Sequence, residues 1–537
     1  MVETTAGRRE RIALHLVQLG LVVIVLIALP YKSFDLDRFF VPKELVLHTT
    51  AVLAALLCLG GKRRLELSFT DLCIAGFLIL SLVSAVLAQN WWLAGRALAI
   101  TISGALLFWV GVTLRAAGLQ RQVLSAAAVA IVVGAITALV QAYGGPTTEL
   151  FSLNRAPGGT FGNRNFMAHL AAIGVPVVVI AALSARTRVG FFFGAIGSVI
   201  LAAALFLSRS RAAWLAVLAT GIVVVGVALL TRASISGGRT WGRLRVLAAA
   251  AIIGTVASAF LPNQLEWKSN SPYLDTMRGL VNTSEGSGAG RVIQYKNSLE
   301  MAMSHPIFGV GPGNWSVHYI KFAERRDPSL SSAGGMTDNP WPSSDWVAFV
   351  SERGIVATVL LVLALMAIAL RAMRELPAAR ETGDFERARA ALTLIGTVVA
   401  TVVVGLFDAV QLIAIPSMFL WLIAGVLSPP RAASRSIGSG VREFGPPLLV
   451  LFGLAAIIRS AGQIEGMAIY HGATRLTTVA SAAKFDPGSY RIRMRLAGGY
   501  ADRGDCKRAV PHARAANGMF PNAADPRAVL RRCGVRK

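Results

Sequence analysis

Thirteen stretches of mostly apolar residues, bounded by charge, Pro or Gly, recur along the chain. They fall at about 12–30, 45–61, 70–88, 97–114, 122–143, 166–184, 190–207, 212–230, 244–261, 345–370, 390–413, 415–428 and 446–463. Runs of roughly 17–25 apolar residues are the length a helix needs to cross a bilayer. The twelfth run is short, and the thirteenth contains Arg459. The first is too long for a cleavable signal and lacks a small-residue cleavage site. The pattern predicts an all-α, polytopic helical membrane protein of about 12–13 transmembrane helices. Its membrane domain would occupy 1–463 and a separate tail 464–537.

The polar turns between the runs set the orientation. With Arg8, Arg9 and Arg11 in the cytoplasm, alternate turns carry Lys62-Arg63-Arg64, Arg115 with Arg121, and Arg186 with Arg188. Further on they carry Arg232 to Arg245, Arg371 to Arg389 and Arg431 to Arg442. All these basic turns fall on one side, as the positive-inside rule requires. The other side holds the longest polar segment, about 262–344. There seven basic residues (Lys268, Arg278, Arg291, Lys296, Lys321, Arg325, Arg326) balance seven acidic ones (Glu266, Asp275, Glu285, Glu300, Glu324, Asp327, Asp338). A connection this long between elements is uncommon unless it folds, so a small extracytoplasmic lobe is expected. The exception on that side is Ser208-Arg209-Ser210-Arg211, two arginines in a short outer turn. They read either as a snorkelling pair or as an anion site at the membrane surface.

Composition agrees. Hydrophobic residues make up 54% of the 537 and charged residues 15%, with mean hydropathy +0.59. These values exclude a disordered chain, an ordinary soluble enzyme and a fibrous repeat. The net charge of +25 is largely the positive-inside signature, so no nucleic-acid partner is needed to explain it. Four cysteines are too few for a disulfide scaffold and lack zinc-ligand spacing.

The tail is polar, Arg-rich and Ala-rich. Leu496, Ala497 and Tyr500, followed by Gly504, Ala509, Ala516 and Pro521, match the offsets of a 34-residue helix–turn–helix repeat of the tetratricopeptide type. One and a half such repeats bury little core alone, so the tail either packs on the membrane domain or binds a protein partner. Its basic charge also suits anionic membrane lipids. In the repeat register Cys506 and Cys533 come to neighbouring helices. A disulfide is expected there if the tail lies outside, and two free thiols if it lies in the cytoplasm.

No P-loop, His-Glu-x-x-His, Gly-x-Ser-x-Gly or Cys-x-x-Cys occurs, which argues against an ATP-driven pump, a zincin and an α/β-hydrolase. Charged residues within the spans are few, Asp408 being the clearest; a proton-coupled transporter usually carries more. His169, also in a span, reads as a packed or hydrogen-bonded residue. Polar residues gather instead at the outer ends: 151–165, the Arg209/Arg211 turn and the lobe.

This layout resembles the O-antigen ligase and polymerase superfamily of bacterial membrane proteins. The run Gly159-Thr-Phe-Gly-Asn163-Arg-Asn165-Phe is similar to that family's GTFGNxN loop, and Ser210-Arg211-Ala-Ala-Trp214-Leu to its Ser-Arg segment. Gly290-Arg291-Val-Ile-Gln-Tyr, then His305-Pro306-Ile-Phe-Gly309-Val-Gly311-Pro-Gly313-Asn314, resembles its most specific block. Asp345-Trp346, then Glu352-Arg353-Gly354, resembles the start of the next span, and Asp35 to Lys43 an outer turn of the family.

The resemblance implies a GT-C-like architecture and metal-independent glycan transfer, without a cofactor, at the outer face of the bacterial inner membrane. The donor would be a glycan on undecaprenyl diphosphate, and the acceptor lipid A-core, another glycan or a protein hydroxyl. Arg211 and Arg291 would clamp the diphosphate, since planar guanidinium forks neutralise a leaving phosphate without a metal. Arg209, Asn163, Asn165, Arg155, Arg164 and Asn314 complete the candidate binding set. The family's proposed base, a His nine residues before the Glu of the Glu-x-Gly step, is replaced here by Ser343. Three readings stay open: Asp345, Asp338 or His318 substitutes; the acceptor needs no strong base; or the chain is not a lipid A-core ligase. A different class of function, a degenerate scaffold recruiting partners through its tail, stands beside the enzyme reading.

Overall fold

The computed structural model describes residues 6–59, 66–144, 156–232, 238–267, 269–279, 286–331, 334–429, 435–436 and 439–535. Nine long helices come first: α1 (Arg8–Leu26), α2 (Asp37–Leu59), α3 (Phe69–Val86), α4 (Trp91–Ala116), α5 (Gln120–Ala142), α6 (Arg164–Leu183), α7 (Arg188–Ser208), α8 (Arg211–Leu230) and α9 (Gly238–Phe260). The lobe follows with α10 (Pro272–Arg278), α11 (Gly286–Ser304), α12 (Trp315–His318) and α13 (Asp345–Arg353). Then come α14 (Ile355–Thr382), α15 (Phe385–Gly405), α16 (Ala414–Leu427) and α17 (Ser439–Gly472). The tail is α18 (Leu476–Phe485), α19 (Tyr490–Asp502), α20 (Cys506–Met519) and α21 (Ala524–Arg532). The strands β1 (Glu66–Leu67) and β2 (Arg435–Ser436), two residues each, pair antiparallel at the end of the bundle opposite the lobe.

Among the described residues, eleven helices are long and apolar enough to cross a membrane. The protein is a polytopic helical membrane protein. Two further helices complete the thirteen expected segments. One is α1, whose first turn holds Arg8, Arg9, Glu10 and Arg11. The other is α16, only 14 residues long and buried along its whole length. A helix wholly enclosed by protein need not match the bilayer thickness. It lies against α4 at close range: a Cβ on Gly111 would stand 2.7 Å from the Leu422 carbonyl oxygen, and one on Gly425 2.0 Å from that of Phe108. Small residues thus set this helix–helix distance.

Two helix boundaries differ from the hydropathy pattern. α2 begins at Asp37, well before its apolar run, and carries Pro42 inside. Proline has no N–H to offer the carbonyl of Arg38, and the Leu29 N–H bonds that carbonyl instead, at 2.9 Å. The tenth run is split at Gly354, which adopts φ 86°. A Cβ there would stand 2.1 Å from the Ile307 carbonyl oxygen, so only glycine lets α13 turn into α14 at this point.

The lobe's core is Met301, Val310, Trp315 and Tyr319. Its joint to the bundle is the Gly309–Asn314 block. Val310 and Gly311 donate to the carbonyls of Ser351 and Glu352, and the buried Glu352 carboxylate accepts from the amides of Gly313 and Trp315. The tail folds onto the same end. α17 runs unbroken past residue 463 to Gly472, and Val41, Phe34, Met467, Leu496 and Tyr500 share one cluster. Asn90 donates to the Met519 carbonyl, and the Ala524 amide to that of Gly334. The tail thus packs on the membrane domain. A disulfide joins Cys506 to Cys533.

Candidate functional site

The lobe end of α7 sets the site. Arg209 closes that helix in the left-handed conformation at φ 52°, and Ser210 then leads into α8 at Arg211. The two arginines are therefore presented from one tight turn, and the segment after α9 holds both. Arg209 Nε donates to Thr276 Oγ1 at 2.9 Å, and its guanidinium lies 4.5 Å from the Trp267 ring centre. Arg211 Nη1 donates to the Gly279 carbonyl. Arg164, at the start of α6, lies 5.0 Å from the same Trp267 ring.

A polar cluster stands beside this turn. Asp408 follows α15 in a turn and is partly exposed, at 16% of its side chain. Asn165 Nδ2 donates to its Oδ2 at 3.3 Å, and His169 Nε2 lies 4.0 Å from the same oxygen. His169 is fully buried, and among the described residues neither ring nitrogen is hydrogen-bonded. Arg291, on α11, lies within electrostatic reach of Arg211, His169 and Tyr295. The Tyr295 hydroxyl sits 2.6 Å from the carbonyls of both Ser343 and Leu406, and its single proton serves one at a time. Burial pushes this phenol up to about 12, so it stays a donor. Ser343 occupies the position where the resemblance expects a base. Its backbone is pinned to α11 through Tyr295 and through Gln294 Oε1, which accepts from its amide at 2.6 Å.

The remaining candidates are placed as follows. Asn163 is the N-cap of α6, its Oδ1 accepting from the Asn165 amide at 2.9 Å; the cap leaves the Asn165 side chain for Asp408. Gly162 before it adopts φ 73°, with the Phe39 ring 2.4 Å from where a Cβ would be. Asn314 is fully buried, and its amide group is spent on Asn90 and the Pro312 carbonyl. It ties the lobe to the α3–α4 turn and does not reach the arginines. Asp345 is also fully buried, and both its oxygens accept backbone amides: Oδ1 from Val410 and Gln411, Oδ2 from Gln411. Burial raises its carboxyl to about 7 against these bonds. His318 lies on the lobe with its ring 6.2 Å from that of His305, and among the described residues no hydrogen bond or ring contact links it to Arg209, Arg211 or Arg291. Arg155 lies outside the described residues.

Sequence reasoning left Asp408 and Trp267 out of the candidate set. Asp408 had a signal, a lone carboxylate in an apolar run. Trp267 had none.

An apolar cleft of about 600 Å³ runs between α6, α7, α8 and α9, lined by Val178, Leu201, Leu205, Phe206, Trp214 and Leu247 among others. Phe206 stacks on Trp214, at 6.0 Å, and on Tyr273, at 4.3 Å, so an aromatic stack stands between the cleft and the arginine turn. Among the described residues no group of three His, Cys, Asp or Glu could hold a metal ion.

Fold and site together define a class: a polytopic helical membrane protein whose cationic cluster, at the lobe end of the bundle, stands near an apolar cleft. Residues 196–362 match the family model of the O-antigen ligase. Over that stretch the chain is similar to the O-antigen ligase family, which supports an O-antigen ligase-like membrane protein and glycan transfer of the ligase and polymerase class. The matched stretch contains Arg209, Arg211, Trp267, Arg291 and Asp345, while Asn165, His169 and Asp408 lie outside it. No curated protein matches the chain.

Proposed function

We propose that this protein transfers a glycan from an undecaprenyl-diphosphate carrier to an acceptor hydroxyl at the outer face of the bacterial inner membrane, without a metal. The acceptor is lipid A-core, another glycan or a protein side chain. The observation that carries the reading is the gathering of Arg209, Arg211 and Arg291 beside the apolar cleft. A lipid diphosphate needs cationic donors for its head and apolar walls for its tail. In the transfer, the bond from the sugar's anomeric carbon to the diphosphate oxygen breaks, and a bond to the acceptor oxygen forms. The diphosphate leaves as an anion held by the guanidinium groups, whose charge is worth most where charge develops. The acceptor proton passes to Asp408, a partly exposed carboxylate within electrostatic reach of Tyr295, which holds the Ser343 carbonyl at the position of the absent family histidine. Asn165 orients that carboxylate. Asp345 has both oxygens occupied and serves as an anchor, and His318 lies apart from the arginines.

Deleting the gene in its native bacterium, with surface polysaccharide, lipid A-core and glycoproteins as readouts, identifies the acceptor. Arg211→Lys and Arg291→Lys keep the charge but lose the planar fork. Each is expected to lose about 10²–10³ in rate, equivalent to about 2.7–4 kcal/mol, while still inserting in the membrane. Asp408→Asn is expected to lose transfer with carrier binding intact. Wild-type rates in both arginine variants would sink the diphosphate clamp.

A further inference from the structure

We infer that Trp267 is a positioning residue of the anion site: its ring, which also meets Arg164, holds the Arg209 guanidinium group in place for a diphosphate without neutralising it. The inference rests on the proposed function for the identity of the anion, and on geometry for the rest. Both guanidinium groups sit within 5.0 Å of one indole. A carboxylate would fix an arginine equally well, but it would cancel the charge that a phosphate needs. An aromatic face attracts the cation through its quadrupole and leaves the formal charge uncompensated. Arg209 shows the result. Its Nε is used on Thr276. Among the described residues no carboxylate lies within ion-pair distance of it; Asp275 acts on it only from farther off, and the hydrogen bond of its side chain is that one from Nε.

Trp267 is itself held. It stands within electrostatic reach of the Tyr273 hydroxyl, and Tyr273 stacks on Phe206 at the wall of the cleft. Trp267 and residues 269–279 thus work as a clasp. Trp267 and Thr276 fix Arg209, the Gly279 carbonyl fixes Arg211, and Tyr273 seats the clasp on α7. The diphosphate end of a lipid whose tail lies in the cleft would meet guanidinium groups already in place, and so would lose less free energy to ordering them on binding.

The test uses the full-length protein in detergent, with undecaprenyl diphosphate, undecaprenyl monophosphate and undecaprenol as probes. Wild type is expected to prefer the diphosphate. Trp267→Leu keeps an apolar side chain but removes the aromatic face. It should weaken diphosphate binding roughly tenfold and narrow the preference over the monophosphate, while Trp267→Phe stays within roughly threefold of wild type. If the Leu variant does not fold, Trp267→Met takes its place with the same expectation. A purely structural role would lower thermal stability and leave the diphosphate-to-monophosphate ratio unchanged. An unchanged ratio and Kd in a folded Leu or Met variant, with wild type still preferring the diphosphate, overturns the role of Trp267 alone. Wild type binding undecaprenol as tightly as the diphosphate overturns the proposed function as well.

Discussion

Asp345 separates an anchor from a base in a single pair of variants. It begins α13, is fully buried, and holds the turn after α15 through the amides of Val410 and Gln411, at 2.9 to 3.1 Å. Asp345→Ala leaves those two N–H groups buried without acceptors. Each orphaned donor costs about 1–3 kcal/mol, so the variant should lose about 2–6 kcal/mol. Asp345→Asn keeps Oδ1, which serves both amides, and gives up only the second contact of Gln411. It should fall within about 1 kcal/mol of wild type. The pH profile gives an independent check. Burial raises the carboxyl to about 7, above the ordinary carboxylate value, so the folded state holds this proton more tightly than the unfolded chain does. The resulting stability is fully present below about pH 4 and is lost as the pH rises through about 7. At 1.36 kcal/mol per unit its upper bound is about 4 kcal/mol. Asn, which cannot ionise, should flatten that slope. Thermal unfolding followed by tryptophan fluorescence at a fixed scan rate, at pH 4, 5.5 and 8, measures the stabilities, and glycan transfer in membranes measures function. The anchor reading expects the Asn variant to remain active. An Asn variant with wild-type stability and no transfer would refute it and make Asp345 the base.

Sidedness is tested with single cysteines at Arg326 on the lobe and Glu381 at the opposite end of α14, in a Cys58→Ala, Cys73→Ala background. A membrane-impermeant thiol reagent should label the first in intact spheroplasts and the second only after lysis; the reverse would move the site to the cytoplasm. For His318, burial, with Lys321 and His305 nearby, depresses the imidazole to about 4. Its contribution to stability is complete above about pH 6.5 and lost as the pH falls toward 4. His318→Ala should therefore lessen acid sensitivity in thermal unfolding and leave the pH dependence of transfer unchanged. A shifted rate profile would return His318 to the catalytic set. Cys506 and Cys533 should resist alkylation in freshly isolated membranes until reduced, and mass spectrometry detecting both as free thiols would argue against a tail outside the cytoplasm.

What the sequence determined by itself was whatever local length and charge dictate. A helix rises 1.5 Å per residue and a bilayer has one thickness, so apolar runs and their basic turns marked the spans before any contact was known. The balanced charge of 262–344 marked the lobe, and small residues beside Leu496 and Tyr500 marked the tail's hairpins. Arg211 and Arg291 stood out because each sits in a recognisable local motif. The tertiary structure decided which polar groups meet. Asp408 lies 243 residues from Asn165, and only the packing of α6, α11 and α15 brings them to one place. The same packing favours a second reading of Asn314 and Asp345. Their residue types suit a ligand and a base, while their burial and full sets of hydrogen bonds suit joints between segments. Trp267 could not be recognised in advance, because a tryptophan in a loop carries no periodic signal and its role depends on two arginines from other helices. Local propensity and hydrophobicity are properties of neighbouring residues and survive in a one-dimensional string. Charge compensation and hydrogen-bond satisfaction are properties of a place, and that place exists only once distant segments share it.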